Sequence, residues 1–362
     1  MSVLFTPLTL KGITFRNRIG MSPMCQYSAT DGVMNDWHRV HLGARAAGGA
    51  GMVMAEATAV RADGRITPGC LGLWNDEQVE AAASINQFIA EMGAIPAVQI
   101  GHAGRKASAA RPWDGGAHLK DDQGGWPIVG PSDAAFDPDG TRLWKTPAQM
   151  SVADIAEMQG LFVAAAKRAL AADYKLLEIH GAHGYLLHSF FTPLVNMRTD
   201  EYGGDLRGRA RMMLETVEAV RAVWPENLPL SVRLSVADWT EGGLTIEDNI
   251  QMAKWLKERG VDIVDCSGGG ATPAARASIG SRTADQVGLA GQLRKEAGIA
   301  TMAVGTITKA KQAEAIIADG QADMVLLARG MMRDPYWAMH AAQELGADVK
   351  AHVPVQYGFY MG

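Results

Sequence analysis

The chain is 362 residues long, 48% hydrophobic and weakly acidic, with a formal net charge of −5. That balance excludes the basic footprint of a binder of nucleic acid or anionic membrane, and no apolar run is long enough to cross a bilayer as a helix. The 3 cysteines, Cys25, Cys70 and Cys266, form no CxxC pair and are too few for a disulfide framework or for the four thiolates of an iron–sulfur cluster. A reducing, cytoplasmic setting is therefore expected, and Met1–Lys11 lacks the basic segment and apolar core of a signal peptide.

The first predicted element is a hairpin within Leu4–Ile19 that turns at Lys11-Gly12 and would plug the bottom of a barrel built by the remaining elements. After it, strand-length apolar runs alternate with helix-length amphipathic ones. The strands are expected at Arg18–Ser22, Gly51–Ala57, Ile95–Ile100, Tyr174–Ile179, Pro229–Ser235, Val261–Ser267, Ala300–Gly305 and Ala322–Ala328. The intervening helices are expected at Trp37–Ala47, Asp76–Met92, Val152–Ala171, Gly208–Val223, Ile246–Arg259, Thr283–Glu296, Lys309–Ala318 and Asp334–Leu345, with Ser151, Thr245 and Thr308 as N-caps. The strands are continuous apolar runs, as in a parallel sheet covered on both faces. About eight strand–helix units close such a sheet into an α/β (β/α)8 barrel. No linker interrupts residues 1–362, which predicts one domain. A long loop after the third strand, Ala103–Met150, is rich in Gly, Pro and Asp, and loops of that length carry function or small structure of their own. Its Trp113, Trp126 and Trp144 are expected to be packing anchors rather than substrate contacts.

In such a barrel the chemistry collects at the C-terminal ends of the strands, and special residues fall there strand after strand. They are Ser22–Tyr27 after the first; Glu56 and Ala57 at the second; Gln99 and His102 at the third; His180, His183 and Tyr185 at the fourth; Arg233 at the fifth; Ser267–Gly270 at the sixth; Gly305 at the seventh; and Ala328-Arg329-Gly330 at the eighth. His180, His183 and Tyr185 form a compact set of donors that can hold an electron-rich oxygen and deliver a proton beside it. A chance HxxH pair, or half of a metal site, is the plainer reading of those histidines. Gly305 with Arg329-Gly330 occupies the loops that form the recurring phosphate cradle of this architecture, although a tight turn with a surface arginine has the same sequence. Arg233, on an otherwise apolar strand, needs an anionic partner. With Gln99 it could grip a heterocycle that carries negative charge, such as a reduced flavin, or it could form an ion pair with Glu56. Cys25 has no cationic neighbour in sequence to lower its pKa, and Cys70 and Cys266 read as structural.

Taken together, NRIGMSPMCQY (Asn17–Tyr27), QIGHAGRKA (Gln99–Ala107), EIHGAHGYLLHSFFTP (Glu178–Pro193), NMRTDEYGG (Asn196–Gly204) and LLARGMMRDP (Leu326–Pro335) resemble the old yellow enzyme family of FMN-dependent ene-reductases, in particular its bacterial xenobiotic-reductase and thermophilic-like branch. The resemblance implies a TIM barrel with non-covalent FMN and NADPH or NADH as reductant. It implies that Pro23, Met24, Cys25, Ala57 and Gln99 line the flavin ring, that Arg233 faces its N1/O2 edge, and that Gly305, Ala328, Arg329 and Gly330 hold the phosphate. By the same carry-over His180 and His183 bind a substrate carbonyl or nitro oxygen, Tyr185 donates the proton, Tyr27 adds a second hydroxyl, and Cys25 modulates the flavin rather than attacking anything. A homodimer or homotetramer is also implied, with small-molecule enone or nitro substrates.

The chain departs from that pattern at Asp205–Arg209, where helix packing is expected to absorb the change. It departs again at Val304, where a tryptophan is usual and a wider pocket is expected, and at its C-terminal segment, which has no arginine where a neighbouring subunit often lends an arginine or an aromatic; either Tyr357 or Tyr360 takes that part or the segment is an exposed, frayed tail. The competing reading is a metal-dependent hydrolase on the same barrel, with His180 and His183 joined by His102 or Cys25 as ligands. A non-catalytic FMN-binding protein leaves Tyr185 and the histidines without a purpose.

Overall fold

The structure, a computed structural model, describes residues 2–274 and 285–361. The chain opens with the hairpin β1 (Leu8–Leu10) and β2 (Ile13–Phe15), antiparallel, with Lys11 at a left-handed φ of 52° in the turn. Eight parallel strands form the barrel: β3 (Ile19–Met21), β4 (Met52–Ala59), β5 (Ile95–Gly101), β8 (Leu176–Gly181), β9 (Leu230–Ser235), β10 (Ile263–Ser267), β11 (Ala300–Ala303) and β12 (Met324–Leu327). They close in chain order, β12 pairing back on β3 through Val325 and Ile19. The short strands β6 (Val129–Gly130) and β7 (Ala148–Gln149) lie in the long loop after β5.

Side chains on alternate positions fill the barrel in layers, as this closure requires. The lower layer is apolar: Met52, Met54, Ala97, Leu176, Ile263, Met302, Met324 and Leu326 pack with Phe15 from the hairpin, and Leu8, Leu10 and Ile13 close the floor beneath them. Two residues further along their strands stand Gln99, Glu178 and Asp265, buried beside Ser231 and Arg233. A greasy floor therefore carries a polar storey, and the mouth lies above it.

The helices wrap the outside: α1 (Asp36–Ala47), α2 (Asp76–Glu91), α3 (Val152–Ala171), a short α4 (Leu186–Phe191), α5 (Leu206–Arg221), α6 (Ile246–Glu258), α7 (Asp285–Ala297), α8 (Ala310–Ala318), a short α9 (Arg329–Arg333) and α10 (Trp337–Leu345). Ser151 and Thr245 cap α3 and α6 as expected, and Asn35, Asn75 and Asp205 cap α1, α2 and α5. Thr308 does not cap: Lys309 occupies that position without a side-chain bond, and the Thr308 amide donates to Gln312 Oε1 instead. The expected helix start at Thr283 lies outside the described residues. Helix α5 begins two residues earlier than expected because Asp205 accepts from the Gly208 amide at 2.7 Å. The Asp205–Arg209 segment thus acts on helix packing. A Cβ at Gly208 would stand 2.0 Å from the Gly203 carbonyl oxygen, so only glycine fits this close approach.

Candidate active site

The second barrel strand breaks the simple alternation. Ala55 pairs with Val98 and Ala57 with Gln99, so Glu56 is the extra residue of a β-bulge. Strict alternation would have put Glu56 inside the barrel, one layer above Met54. The bulge shifts the phase, and Glu56 instead meets His38 of α1 at 3.5 Å and accepts the Gln26 amide at 2.9 Å. Arg233 consequently does not pair with Glu56. Its partner is Asp265 on the adjacent strand, Nε to Oδ2 at 3.0 Å, while its Nη2 donates to Ser22 Oγ at 3.3 Å. Gln99 Nε2 donates to Glu178 Oε1 at 2.8 Å, and Ser231 Oγ lies 2.8 Å from Glu178 Oε2. Glu178 and Asp265 are not among the residues that the sequence singles out. Their signal is a charged residue at an inward position of an apolar strand, where the barrel tolerates none without a partner.

At the mouth His180, His183 and Tyr185 come together as expected. Their rings meet edge to face, His180 at 5.1 Å from His183 and at 4.9 Å from Tyr185, centroid to centroid. The Ala182 amide donates to His180 Nδ1 at 3.2 Å, which leaves the proton of a neutral ring on Nε2. That nitrogen faces His183 Nδ1 at 3.4 Å, and His183 Nε2 lies 2.7 Å from Ser267 Oγ. Burial and the positive charge of Arg233 hold both imidazoles well below their usual pKa, so both are neutral donors at working pH. His183 adopts φ 62°, held there by Ser235 Oγ on its amide.

Lys106, in sequence only one base in a long loop, reaches over this group. Its Nζ donates to the carbonyls of His183 at 2.7 Å and Gly270 at 2.6 Å, and sits 5.5 Å from the Tyr185 ring and 4.3 Å from Phe136. Tyr27, at φ 53°, lines the same outer pocket as Tyr185 and His183, and burial keeps its phenol protonated far above the ordinary range. Trp144 also lines that pocket while packing on Phe136 and His118. Trp126 is an anchor, donating to the Asp63 carbonyl at 2.8 Å beneath Arg65. Trp113 is not an anchor: it is 65% exposed and touches Tyr27 edge on.

Beside the outer pocket lies a cleft lined by His183, Ser267, Gly268, Val304, Gly305, Ala328, Arg329 and Gly330. Gly305 has φ 136°, open to glycine at little cost. Gln286 joins the cleft wall, its amide oriented to accept from Gly268 N at 2.9 Å and donate to the Val304 carbonyl at 3.2 Å. The glycines and Arg329 suit a phosphate. Among the described residues Arg233 retains Nη1, and Gln99 retains Oε1, without a protein partner, which suits the polar edge of a flavin. These side chains fit FMN.

Pro23, Met24 and Cys25 are half-buried beside the bulge. The Cys25 thiol meets Cys70, and that contact together with burial raises it well above its usual pKa, so it is no thiolate. Cys70 is therefore more than filler: it is buried against Cys25, whereas Cys266 is plain core. Among the described residues no three His, Cys, Asp or Glu converge as metal ligands. His102, one candidate third ligand, instead accepts the Gly104 amide and faces Asp63 at 3.6 Å, and Cys25, the other, faces Cys70. No described helix is long and apolar enough to cross a membrane.

Comparison with known proteins agrees with this geometry. The profile of the NADH:flavin oxidoreductase / NADH oxidase family matches residues 3–348. An NADPH dehydrogenase of Geobacillus sp. (strain WCH70) is 43% identical over 99% of both chains, and an NADPH dehydrogenase of Bacillus subtilis (strain 168) is 42% identical over 98% of both. Among solved structures, morphinone reductase in complex with tetrahydroNAD superposes with a TM-score of 0.76 at 26% identity, covering 95% of this chain and 91% of its own. The old yellow enzyme homologue of Zymomonas mobilis shares the fold, with a TM-score of 0.76 at 24% identity, over 95% and 93% of the two chains. The hydrolase reading does not survive this match. The chain belongs to the old yellow enzyme family and is an FMN-dependent NAD(P)H oxidoreductase.

Proposed function

We propose that the enzyme reduces activated C=C bonds of α,β-unsaturated carbonyl compounds, and nitro compounds by the same anchorage, in two alternating half-reactions at one pocket. The observation that carries this reading is that His183 lines both the glycine-rich cleft and the outer pocket where Tyr185 and Tyr27 lie. A substrate in the outer pocket therefore lies against whatever fills the cleft. Bound FMN supplies the centre that accepts hydride from NADPH or NADH and passes hydride on. Arg329, Ala328, Gly330 and Gly305 would hold its phosphate, Gln99 and Arg233 its polar edge, and Pro23, Met24, Cys25 and Ala57 the side of its ring.

The chain's own residues account for the remaining chemistry. His180 Nε2–H and His183 Nε2–H now face His183 Nδ1 and Ser267 Oγ, so an arriving carbonyl oxygen must compete for them. Both donors are neutral, and neutral donors can hold an oxygen without protonating it outright. They withdraw electron density from the β-carbon and stabilise the negative charge that develops on the enolate oxygen as hydride reaches that carbon, a contribution on the order of 3 kcal/mol per donor in comparable anion holes. Tyr185 then protonates the α-carbon, and the Lys106 ammonium near its ring favours the phenolate left behind. Tyr27 supports the same oxygen. Val304 in place of a larger side chain leaves the cleft wall open to bulkier substrates.

Stopped-flow mixing of the NADPH-reduced holoenzyme with a panel of enones, nitro compounds and quinones tests the proposal. Enones and nitro compounds should reoxidise it faster than dioxygen does. Reoxidation by quinones alone would contradict it.

A further inference from the structure

The polar storey of the barrel contains one guanidinium and two carboxyl groups. Arg233, Glu178 and Asp265 are all buried, the two carboxyls completely. One cation cannot neutralise two carboxylates, and an unbalanced charge in a dry interior is costly. The contacts divide the two acids. Among the described residues Glu178 is hydrogen-bonded only to neutral groups, Gln99 at 2.8 Å and Ser231 at 2.8 Å. Among them Asp265 has no hydrogen-bond partner, and its near neighbour of opposite charge is Arg233, Nε at 3.0 Å. We infer that Asp265 is a positioning and tuning residue for the cofactor: it is the standing counterion of Arg233 and sets how much of that guanidinium's positive charge a flavin at the barrel mouth experiences.

Glu178 does not share this task, because it carries the proton that the charge count requires; with Oε2 protonated, the 2.8 Å contact to Ser231 Oγ runs from Glu178 to the hydroxyl. Burial and the neighbouring Asp265 push it well above the usual carboxylate range against the opposing pull of Arg233, Ser231 and Gln99, whereas on Asp265 burial alone drives a smaller rise, which Arg233 opposes. His180 and His183, the titratable groups one storey higher, are neutral for the reasons already given. Glu178 thus remains an acceptor for Gln99 Nε2 and leaves Gln99 Oε1 for the mouth. The arrangement is a compromise. A bare Arg233 would favour the reduced, more negative flavin strongly, and Asp265 offsets part of that pull.

The inference rests on the proposed seat of the flavin above Gln99 and Arg233, and the test separates the two. The two-electron midpoint potential of the FMN holoprotein is measured at pH 7 by dye equilibration for wild type, Asp265→Asn, Glu178→Gln and Arg233→Lys. Asp265→Asn should move the equilibrium at least tenfold toward the reduced form, which is about 30 mV for a two-electron couple, and Glu178→Gln less than twofold. An Asp265→Asn protein with an unchanged potential, or a Glu178→Gln protein that shifts as far, overturns the assignment while a shifted Arg233→Lys keeps the flavin seat. If Arg233→Lys and Asp265→Asn are both silent, the seat itself is wrong and the inference falls with it. A second arm needs no Asp265 variant to fold. An acid whose folded pKa lies above its unfolded one loses stability as pH rises from the unfolded value through the folded one. Thermal stability of the wild-type holoprotein should therefore fall from pH 5 to pH 8 more steeply than that of Glu178→Gln. Parallel slopes would place the proton elsewhere and remove Asp265 as the counterion.

Discussion

Replacing Tyr185 with Phe is the sharpest probe of the proposed chemistry because the structure says what the change leaves alone. The ring keeps its edge-to-face contact with His180 at 4.9 Å and its place under Lys106 at 5.5 Å. The backbone bonds that start α4, Leu186 N to His102 O at 3.0 Å and Ser189 N to Tyr185 O at 2.8 Å, do not involve the hydroxyl. The change removes the phenolic hydroxyl and with it the proton. A positioned general acid is worth about 10²–10⁴-fold, so the barrier for protonating the α-carbon should rise by about 2.7–5.5 kcal/mol. Reduction by NADPH needs no proton from this group and should change less than twofold. Single-turnover stopped flow separates the halves: flavin bleaching with NADPH, then colour return with an enone such as cyclohexenone. A loss below tenfold would point to Tyr27, the second phenol lining the pocket, and the double variant with Tyr27→Phe should then show the full loss. Equal losses in both half-reactions, or none in either variant, would refute the donor role.

Phe15→Ala removes the ring that seals the barrel floor and should cost about 3–5 kcal/mol, read as a lowered denaturation midpoint with an unchanged flavin spectrum. Gly208→Ala drives a Cβ into the Gly203 carbonyl and should destabilise by about 1–3 kcal/mol, far more than the usual gain of Gly→Ala in a helix; a stabilised variant would refute the close approach. His180 and His183 have folded pKa values below the unfolded one, so the folded state binds fewer protons and stability falls as pH drops below about 6.5. Neither imidazole should titrate in the enone half-reaction between pH 6 and 8. An inflection near 6.5 that vanishes in His183→Asn would show that a protonated ring is the working form.

The architecture is legible in the sequence because the strands are predominantly apolar runs of even length and several long helices begin with a side chain able to cap them, as Ser151 and Thr245 do. The hairpin is legible for a similar reason: Lys11-Gly12 stands between two alternating segments. The mouth residues are legible because closure puts every strand's C-terminal end on one rim. The partner of Arg233 is not, because it depends on the phase of β4. A single bulge turns Glu56 outward to His38, and Asp265 on the adjacent strand pairs with Arg233 instead. Lys106 is hidden for a different reason. It lies in a loop without periodicity, and only the fold brings its ammonium to the carbonyls of His183 and Gly270.

The methionine-lined lower layer and the hairpin beneath it turn the barrel into a vessel with one opening. Among the described residues this packed apolar layer separates the polar storey from the hairpin end of the barrel. Under the proposed function, whatever brings electrons and whatever takes them away would both approach from the rim, and Phe15, Met52, Met54, Met302 and Met324 are what confine them to it.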